Sequence, residues 1–377
     1  MKTLVNIVRI FTGVLFIFSG LVKAIDPNGL SYKMQEYFDL WGMSGFNNTT
    51  LLLSVLMNAF EIFAGVALLL GWKPKLINWL LLLLIVFFTF LTGYSYLSGR
   101  FKNCGCFGDC IPITSGVSFL KDIILLVMIL FLFFNSRYIK QLFSKSITAV
   151  ILVLSTLLTL ALQWYALHYL PPVDCLPYKV GNNIPQQMQM PANAIPDSTV
   201  INFVYQKDGK EVSFTAESFP DDFNDSTYTF VKREDKIVRP GKNNIPSIRS
   251  FSFSDKSGAD MTQPMLEAPE ALVLFVEDVS RPVSKWQQGF EPIYQSAKSK
   301  NIPVYLITST RPATEAAIAN TGFKDIPILD GDRVTIRTAA RTIPTLFLLH
   351  NGTITGKWSY KNFDKAPGVT GNGQSSK

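Results

Sequence analysis

The residues best suited to do chemistry in this 377-residue chain are its four cysteines. Cys104, Cys106 and Cys110 lie within seven positions of one another, and Cys175 follows farther along the chain. A thiolate can attack a disulfide when the sulfur atoms come within bonding reach, so this set could exchange disulfides. Cys106 and Cys110 have enough spacer to pair across a turn, whereas a bridge between Cys104 and Cys106 would close a strained ring.

Three uses of these cysteines stay open at the level of sequence. They could form a redox-active or redox-sensing set, or structural disulfides that pin one loop to the start of a following domain. A zinc or iron site with four thiolate ligands is the third use. Its C-x-C-x3-C spacing differs from the usual C-x2-C pairing, and we assign no metal site. Four cysteines allow three pairings, and the sequence does not select one.

The chain up to about residue 170 consists of apolar stretches separated by polar segments. The stretches are Leu4–Val22, Leu51–Trp72, Leu76–Leu97, Phe119–Phe134 and Ile147–Tyr169. Most of them approach or exceed the ~20 residues that a helix needs to cross a membrane. The first lacks a small-x-small cleavage site, so we interpret it as a retained helix rather than a signal peptide. The pattern predicts an α-helical membrane bundle of five transmembrane helices over residues 1–170.

Basic residues predict the orientation of these helices. At the helix ends that share the N-terminus the basic residues have no acidic residue among them, whereas acids balance those at the opposite ends. The unbalanced set is Lys2, Arg9, Lys73, Lys75, Arg137, Lys140 and Lys145. The positive-inside rule then places the N-terminus in the cytoplasm of a cytoplasmic (inner) membrane. We therefore expect all four cysteines and the C-terminal half in the periplasm, where an oxidising environment favours disulfides.

The distribution of charge also bears on partners. The net charge of +7 resides mostly in the membrane part, and the C-terminal half carries nearly balanced charges. We therefore predict no nucleic-acid partner. Membrane lipid surrounds the helices, and an envelope protein is the expected macromolecular partner.

Ionisable and polar residues inside the apolar stretches are further candidates. Glu61 lies within the second stretch, with Asn58 three residues earlier on the same helical face. A charged group in a membrane is costly, so Glu61 could carry protons to a quinone-linked or thiol-linked reaction. It could equally make a helix-packing hydrogen bond. The basic residues available to it are Lys23, Lys121 and Arg9. Lys121, beside Asp122, could lower the pKa of a nearby thiol, or the pair could simply be interfacial.

The C-terminal half divides by composition. Residues 171–197 are rich in Pro, Asn and Gln and are typical of a tether, and residues 198–263 alternate as a small β-rich region. Residues 264–362 alternate strands and helices and end in an antiparallel hairpin, which predicts a soluble extracytoplasmic α/β domain. Residues 363–377 are polar and indicate a disordered tail.

Several segments of residues 1–135 resemble the DoxX/MauE family of redox-associated membrane proteins. They are Arg9–Gly13, Ser19–Lys23, Glu61–Gly65 with Leu70–Gly71, Cys104–Gly108 and Phe119–Asp122. The resemblance implies a four-helix membrane bundle, so the fifth apolar stretch is an added crossing that carries the C-terminal half to the other side.

Residues 264–362 resemble a thioredoxin-like domain. Thr342-Ile343-Pro344-Thr345 is similar to the cis-proline turn of that fold, and the resemblance implies that Pro344 follows a cis peptide bond. The redox pair of the fold would stand in the segment 278–283, which reads Asp-Val-Ser-Arg-Pro-Val. This segment has no cysteine, so the domain cannot carry out dithiol exchange itself.

Two hypotheses follow. In the first, the protein is an integral inner-membrane redox-associated protein whose external cysteine loop exchanges electrons or disulfides with a quinone or an envelope partner. Its C-terminal domain would dock that partner. If the protein is an enzyme, it is then a thiol- or quinone-linked oxidoreductase component, and a quinone is the cofactor considered. The alternative is a non-enzymatic membrane scaffold or assembly factor, with structural disulfides, that recruits an envelope protein.

Overall fold

The computed structural model describes residues 1–99, 108, 110, 111, 113–215, 217–224, 226–239, 241 and 243–366. Within these ranges the chain forms two compact units. The larger contains residues 1–181 and the described residues from 252 onward, and the smaller contains residues 182–251. The membrane bundle and the α/β domain therefore belong to one unit.

Five helices of the larger unit are long and apolar enough to cross a membrane. They are α1 (Lys2–Ile25), α3 (Thr50–Leu70), α4 (Pro74–Ser98), α5 (Ser115–Phe134) and α6 (Lys145–Tyr169), with α2 (Pro27–Leu40) between the first two. The predicted five-helix bundle is thereby confirmed. Helices α1 and α3 approach closely at Gly13 and Gly65, which have no side chains. A Cβ atom on Gly65 would lie only 2.8 Å from the carbonyl oxygen of Gly13.

Helix α2 contains the amphipathic part of the loop between the first two apolar stretches. The Asp26 side chain caps its N-terminus by accepting a hydrogen bond from the Gly29 amide at 3.1 Å, and Pro27 occupies the first turn. We call the end of the bundle at which α1, α4 and α6 finish the disulfide end, because the two bonded cysteines described below lie there.

The opposite end of the bundle is closed by Arg9. Its guanidinium donates to the carbonyl oxygens of Leu68 (2.9 Å), Leu69 and Lys140 (3.3 Å), and so satisfies carbonyls at the C-terminal end of α3. Gly71 follows with φ at +70°, and a Cβ atom there would lie 2.3 Å from the Lys140 carbonyl oxygen. Only glycine fits this turn. Arg9 is therefore engaged far from Glu61.

The α/β domain contains a six-stranded sheet in the order β4-β7-β6-β5-β8-β9. The strands are β4 (Phe253–Ser254), β5 (Ala271–Phe275), β6 (Val304–Thr308), β7 (Ile328–Gly331), β8 (Thr345–His350) and β9 (Thr353–Ser359). β5, β6 and β7 are parallel, whereas β8 and β9 are antiparallel to their neighbours. The helices are α8 (Thr262–Glu267), α9 (Gln287–Ser299), α10 (Arg311–Ile318) and α11 (Arg333–Ala340). Trp286, Phe290 and Phe323 form the aromatic centre of the core beneath α9.

The smaller unit holds the short helix α7 (Ile184–Gln187) and a three-stranded antiparallel sheet. Its strands are β1 (Ser198–Lys207), β2 (Lys210–Thr215) and β3 (Thr229–Arg239), with β1 in the centre. Tyr205 on β1 packs against a set of rings that stabilises one face of the sheet. The set consists of Phe214, Phe219, Phe223, Tyr228 and Phe230.

Three predicted boundaries need correction. The β-rich region does not extend to residue 263, because Phe253 pairs with Gly331 in the six-stranded sheet and its ring is buried against Phe275. The segment 171–197 is not a uniform tether, since the Gly181 amide bonds the Ile354 carbonyl at 2.7 Å. The predicted disordered tail begins too early, because Phe363 is buried and packs on Phe290. Residues 367–377 lie outside the described residues.

Candidate functional site

A disulfide joins Cys110 to Cys175, with Cα atoms 4.8 Å apart. Cys110 lies between α4 and α5, and Cys175 follows α6, so the bond links two segments at the disulfide end of the bundle. Both cysteines are half-buried. The other two predicted cysteines, Cys104 and Cys106, lie outside the described residues. Among the described residues, no group of three or more His, Cys, Asp or Glu side chains could hold a metal ion.

The disulfide lies between the helices and the α/β domain. On the helix side, Gly108 adopts φ of +57°, and a Cβ atom there would lie 3.8 Å from the Val22 carbonyl oxygen near the end of α1. On the domain side, Asp174 precedes Cys175 and accepts a hydrogen bond from Lys357 Nζ at 2.7 Å. Lys357 lies on β9 and also donates to the Tyr178 carbonyl at 3.3 Å. Burial lowers the pKa of Lys357, and the carboxylate of Asp174 opposes that shift.

Lys23 and Glu61 form an ion pair between α1 and α3. Their side chains are 2% and 1% exposed, so the pair is fully buried within the bundle. The Lys23 ammonium also lies 4.9 Å from the centre of the Phe88 ring. Glu61 Oε2 has no hydrogen-bond partner among the described residues. The structure thus brings together two of the residues that the sequence singled out. Removal of either would leave a buried charge unpaired.

Asn58 has a partner different from that of Glu61. Its amide donates to Gln163 Oε1 at 3.1 Å, and Gln163 in turn donates to the Val55 carbonyl at 3.2 Å. These bonds join α3 to α6 through fully buried amides. Sequence reasoning did not predict Gln163 as the partner of Asn58. A polar amide within an apolar helix could have indicated that Gln163 makes a buried hydrogen bond.

Asp122 is fully buried at the first turns of α5. It accepts a hydrogen bond from the Thr92 hydroxyl on α4 at 2.9 Å, and Lys121 Nζ lies 2.7 Å from its other carboxylate oxygen. Lys121 is 20% exposed, so this ion pair reaches the edge of the bundle. The bond between Thr92 and Asp122 thus joins α4 to α5.

The turn after β5 in the α/β domain is filled by an arginine. Arg281 Nε donates to the Ile343 carbonyl at 2.8 Å, and Nη1 donates to the Tyr360 hydroxyl at 2.8 Å. The guanidinium lies 4.0 Å from the centre of the Tyr360 ring. The Ile343–Pro344 peptide bond is cis. The Arg281 guanidinium therefore bridges the turn after β5 and the cis-proline turn, through its bonds to the Ile343 carbonyl and to Tyr360.

The cis-proline side of the domain also contacts the bundle. Arg341 forms an ion pair with Asp26 at 2.9 Å, and its carbonyl accepts from the Asn28 amide at 2.7 Å. The Thr342 hydroxyl donates to the Ala166 carbonyl on α6 at 3.2 Å. These contacts seat the domain on the start of α2 and the end of α6. Sequence reasoning missed them because the partners lie far apart in the chain.

A second arginine strengthens the same contact. Arg337 donates to both carboxylate oxygens of Glu277 at 2.9 Å and to the Gln35 side chain of α2 at 2.6 Å. The guanidinium groups of Arg337 and Arg341 lie 5.0 and 5.5 Å from the centre of the Tyr32 ring. Burial raises the pKa of Tyr32, so its hydroxyl stays protonated at neutral pH. We call Asp26, Asn28, Tyr32, Gln35, Arg337 and Arg341 the α2 clamp.

Comparison with known families divides the chain in the same way. Residues 1–135 match the family model described as methylamine utilisation protein MauE. Residues 192–240 match a domain of unknown function (DUF8463). Protein TlpB from Flavobacterium psychrophilum is 29% identical over 130 residues, which is 34% of this chain. The matched part spans only 35% of that relative.

Solved structures are similar to part of the chain. A thioredoxin-like protein from Bacteroides caccae matches 30% of this chain and 45% of that chain, at 19% identity and a TM-score of 0.25. A C-terminal domain from Bacteroides thetaiotaomicron, provisionally described as belonging to a thiol-disulfide oxidoreductase, matches 28% of this chain. It is covered to 80%, at 18% identity and a TM-score of 0.24.

The observed arrangement therefore joins a MauE-like membrane domain to a thioredoxin-like domain. Residues 278–283 of the second domain contain no cysteine, whereas Cys110 and Cys175 form a disulfide beside the first. Among the described residues, the disulfide thus lies beside the part of the chain that resembles MauE, a membrane protein family.

Proposed function

We propose that this protein is a thiol–disulfide redox component of the cytoplasmic membrane and that Cys110–Cys175 is its exchangeable bond. The observation that carries the proposal is the half-buried disulfide at the junction of a MauE-like bundle and a cysteine-free thioredoxin-like domain. A half-buried disulfide is open to attack by a partner thiolate, whereas a fully buried one is not.

Disulfide exchange would move two electrons from the partner to the Cys110–Cys175 bond. A thiolate of a reduced envelope protein attacks one sulfur of the disulfide, which forms a mixed disulfide and releases the other cysteine as a thiolate. A second thiolate of the partner displaces the first cysteine, so that the partner loses two electrons and Cys110 and Cys175 become thiols. A quinone then takes two electrons and two protons from the thiol pair. The disulfide re-forms, and the quinone becomes a quinol.

The proposed orientation places the disulfide end in the periplasm and the N-terminus in the cytoplasm. The basic residues without acidic neighbours support it, because cytoplasmic loops retain such residues. The Cys110–Cys175 disulfide also supports this orientation, since disulfides persist in an oxidising compartment such as the periplasm. Alkylation of Cys175 by a membrane-impermeant maleimide after reduction, in intact cells, tests this orientation. Labelling only after the membrane is broken would contradict it.

In this proposal the thioredoxin-like domain positions the cysteines and docks the envelope partner. Lys357 holds Asp174 next to Cys175, and the α2 clamp holds the domain on the bundle. Because Thr342 and Arg341 already contact α6 and the α2 region, the partner docks on another surface of the domain.

Trapping of a mixed disulfide tests the function. In Cys175→Ser, the Cys110 thiolate can attack the disulfide of the oxidised envelope partner, which runs the exchange in reverse. The partner should be retained as a reductant-sensitive mixed disulfide, because Cys175 is not there to resolve it. The double variant Cys110→Ser with Cys175→Ser is the matched control and should retain none through this pair. A wild-type bond that resists mild reductant in native membranes, together with no adduct in the single variant, would contradict the proposal.

The second candidate function is a scaffold with a structural disulfide. The observation that favours it is the ion pair of Asp174 with Lys357, because a fixed Cys110–Cys175 bond would also fix the seat of the domain. The same trapping experiment separates the two functions. A scaffold needs only a bond that stays closed, whereas a redox component needs one that opens and re-forms.

A further inference from the structure

A cavity with apolar and aromatic walls lies within the bundle, between α2, α3 and α4. Its volume is about 220 Å³. Tyr37 and Trp41 from α2, Met57 from α3, and Phe88 and Leu91 from α4 contribute to its walls, and Lys23 of α1 reaches it. A cavity of about 150 Å³ is enough to hold benzene. The space therefore suits one substituted ring or two fused rings.

The polar groups of the cavity define what that ring must carry. The Lys23 ammonium has three hydrogens to donate, and Glu61 accepts one of them. Because Glu61 already neutralises the charge of Lys23, the cavity does not require an anion. A neutral acceptor such as a carbonyl oxygen matches a buried donor at an apolar wall. Lys33, which also lines the cavity, is paired with Glu36, and Thr92 donates its hydroxyl hydrogen to Asp122.

The cavity is close to the disulfide end. Lys23 follows Val22, whose carbonyl lies beside Gly108 in the segment that leads to Cys110. A ligand at Lys23 would thus lie one residue along α1 from the Val22 carbonyl that faces Gly108. This placement links the cavity to the redox chemistry proposed above.

We propose that this cavity binds the head group of a lipid-soluble quinone and that Lys23 donates a hydrogen bond to one of its carbonyl oxygens. The flat ring packs against the aromatic walls, and the apolar tail leaves between the helices into lipid. The inference rests on the proposed function for its purpose, since the quinone would be the acceptor of the thiol electrons. Binding itself can be measured without any thiol reaction.

The test uses the purified full-length protein in detergent with decylubiquinone, a benzoquinone that has a ten-carbon tail. Met57→Trp fills the cavity, and Leu56→Trp is the matched control because Leu56 is one residue away but 54% exposed on the outer side of the helix. Bound quinone is quantified by its absorbance after separation from free ligand. We expect at least tenfold weaker binding in Met57→Trp and a change below about twofold in Leu56→Trp. Lys23→Met should also weaken binding.

Three outcomes would overturn the inference. Equal binding by Met57→Trp and Leu56→Trp would place the quinone elsewhere or nowhere. Displacement of bound decylubiquinone by an equimolar amount of decanol would show that the cavity takes an alkyl chain rather than a ring with carbonyl groups. Absence of binding by the wild-type protein, with mixed-disulfide trapping intact, would remove this inference alone. Intact binding without trapping would remove the proposed thiol function instead.

Discussion

Two turns of this molecule hold the positions at which thiol chemistry is expected, and they are occupied in opposite ways. At the disulfide end of the bundle, Cys110 and Cys175 are bonded and half-buried. In the thioredoxin-like domain, Arg281 occupies the turn after β5 and is held by the Ile343 carbonyl and by Tyr360. A disulfide can open and close under attack by a thiolate, whereas a guanidinium with fixed hydrogen bonds can only position its neighbours.

In the proposed function, this difference divides the labour between the two domains. The cis-proline side of the α/β domain contacts α2 and α6, and residues 278–283 after β5 contain no cysteine. The cysteines lie instead on segments that the bundle and the domain hold together from two sides. The domain therefore contributes geometry, and the bundle segments contribute the sulfur atoms.

The largest expected effect concerns the two turns themselves, and replacing one side chain in each of them tests whether only the disulfide takes part in exchange. We expect Cys175→Ser to abolish turnover of disulfides by the membrane-bound protein, because the sulfur pair is lost. Arg281→Ala should change the rate by less than about twofold, since Arg281 takes no part in exchange. The rate of oxidation of a reduced envelope extract in membranes measures both. Equal loss in the two variants would mean that the thioredoxin-like turn shares in the chemistry.

A second prediction concerns the buried ion pair on the bundle side. Glu61→Gln leaves the Lys23 ammonium buried without its counter-ion, which should cost about 3–5 kcal/mol of unfolding free energy. Lys23→Met combined with Glu61→Leu should recover most of that loss, because no charge is then left alone. Denaturant unfolding in detergent gives both values. Glu36→Gln is the control, because its pair with Lys33 is partly exposed and is worth about 0–1 kcal/mol.

A third prediction concerns the domain side. Arg341→Ala removes the buried bond to Asp26 and should weaken seating of the domain by about 1.5–3 kcal/mol. Proteolysis within residues 171–181 should become faster as the domain leaves the bundle. Arg333→Ala is the matched control, because its contact with Glu277 is half exposed and is worth about 0–1 kcal/mol. Equal rates of proteolysis in Arg341→Ala and Arg333→Ala would show that the α2 clamp does not hold the domain.

The smallest expected effect is a dependence on pH through Lys357. Burial lowers its pKa in the folded protein, so the unfolded chain binds more protons between the folded pKa and the usual value of about 10.5. Stability should therefore rise with pH across that window and fall as the pH drops through the folded pKa. Lys357→Met should flatten this slope in thermal unfolding at alkaline pH. A wild-type slope that the substitution leaves unchanged would contradict the assignment.

Much of the architecture could be predicted because it depends on local patterns. Apolar stretches of sufficient length specified α1 and α3 to α6, and alternating strands and helices specified the domain from β5 to β9. The place of β4 in the six-stranded sheet could not be predicted, since a two-residue edge strand has no periodicity. Its place is set by burial of the Phe253 ring in the core of the domain.

The candidate site was less predictable. Spacing could not choose among the three cysteine pairings, and the partner of Cys110 became clear only once α6 was seen to return to the disulfide end. The α2 clamp joins Asp26 to Arg341, and no local pattern reports which distant arginine meets a given carboxylate. Lys23, by contrast, was proposed as a partner of Glu61, because few basic residues lie in or near the apolar stretches.

The most direct test of the central claim follows the oxidation state of Cys110 and Cys175 in native membranes. Cys104→Ser with Cys106→Ser leaves this pair as the remaining cysteines of the chain, and a maleimide mass tag reports whether each is free. After a pulse of mild reductant, we expect both to be tagged together and the tags to be lost again once the reductant is removed. A pair that never accepts the tag under mild reductant would contradict the account and identify the disulfide as structural.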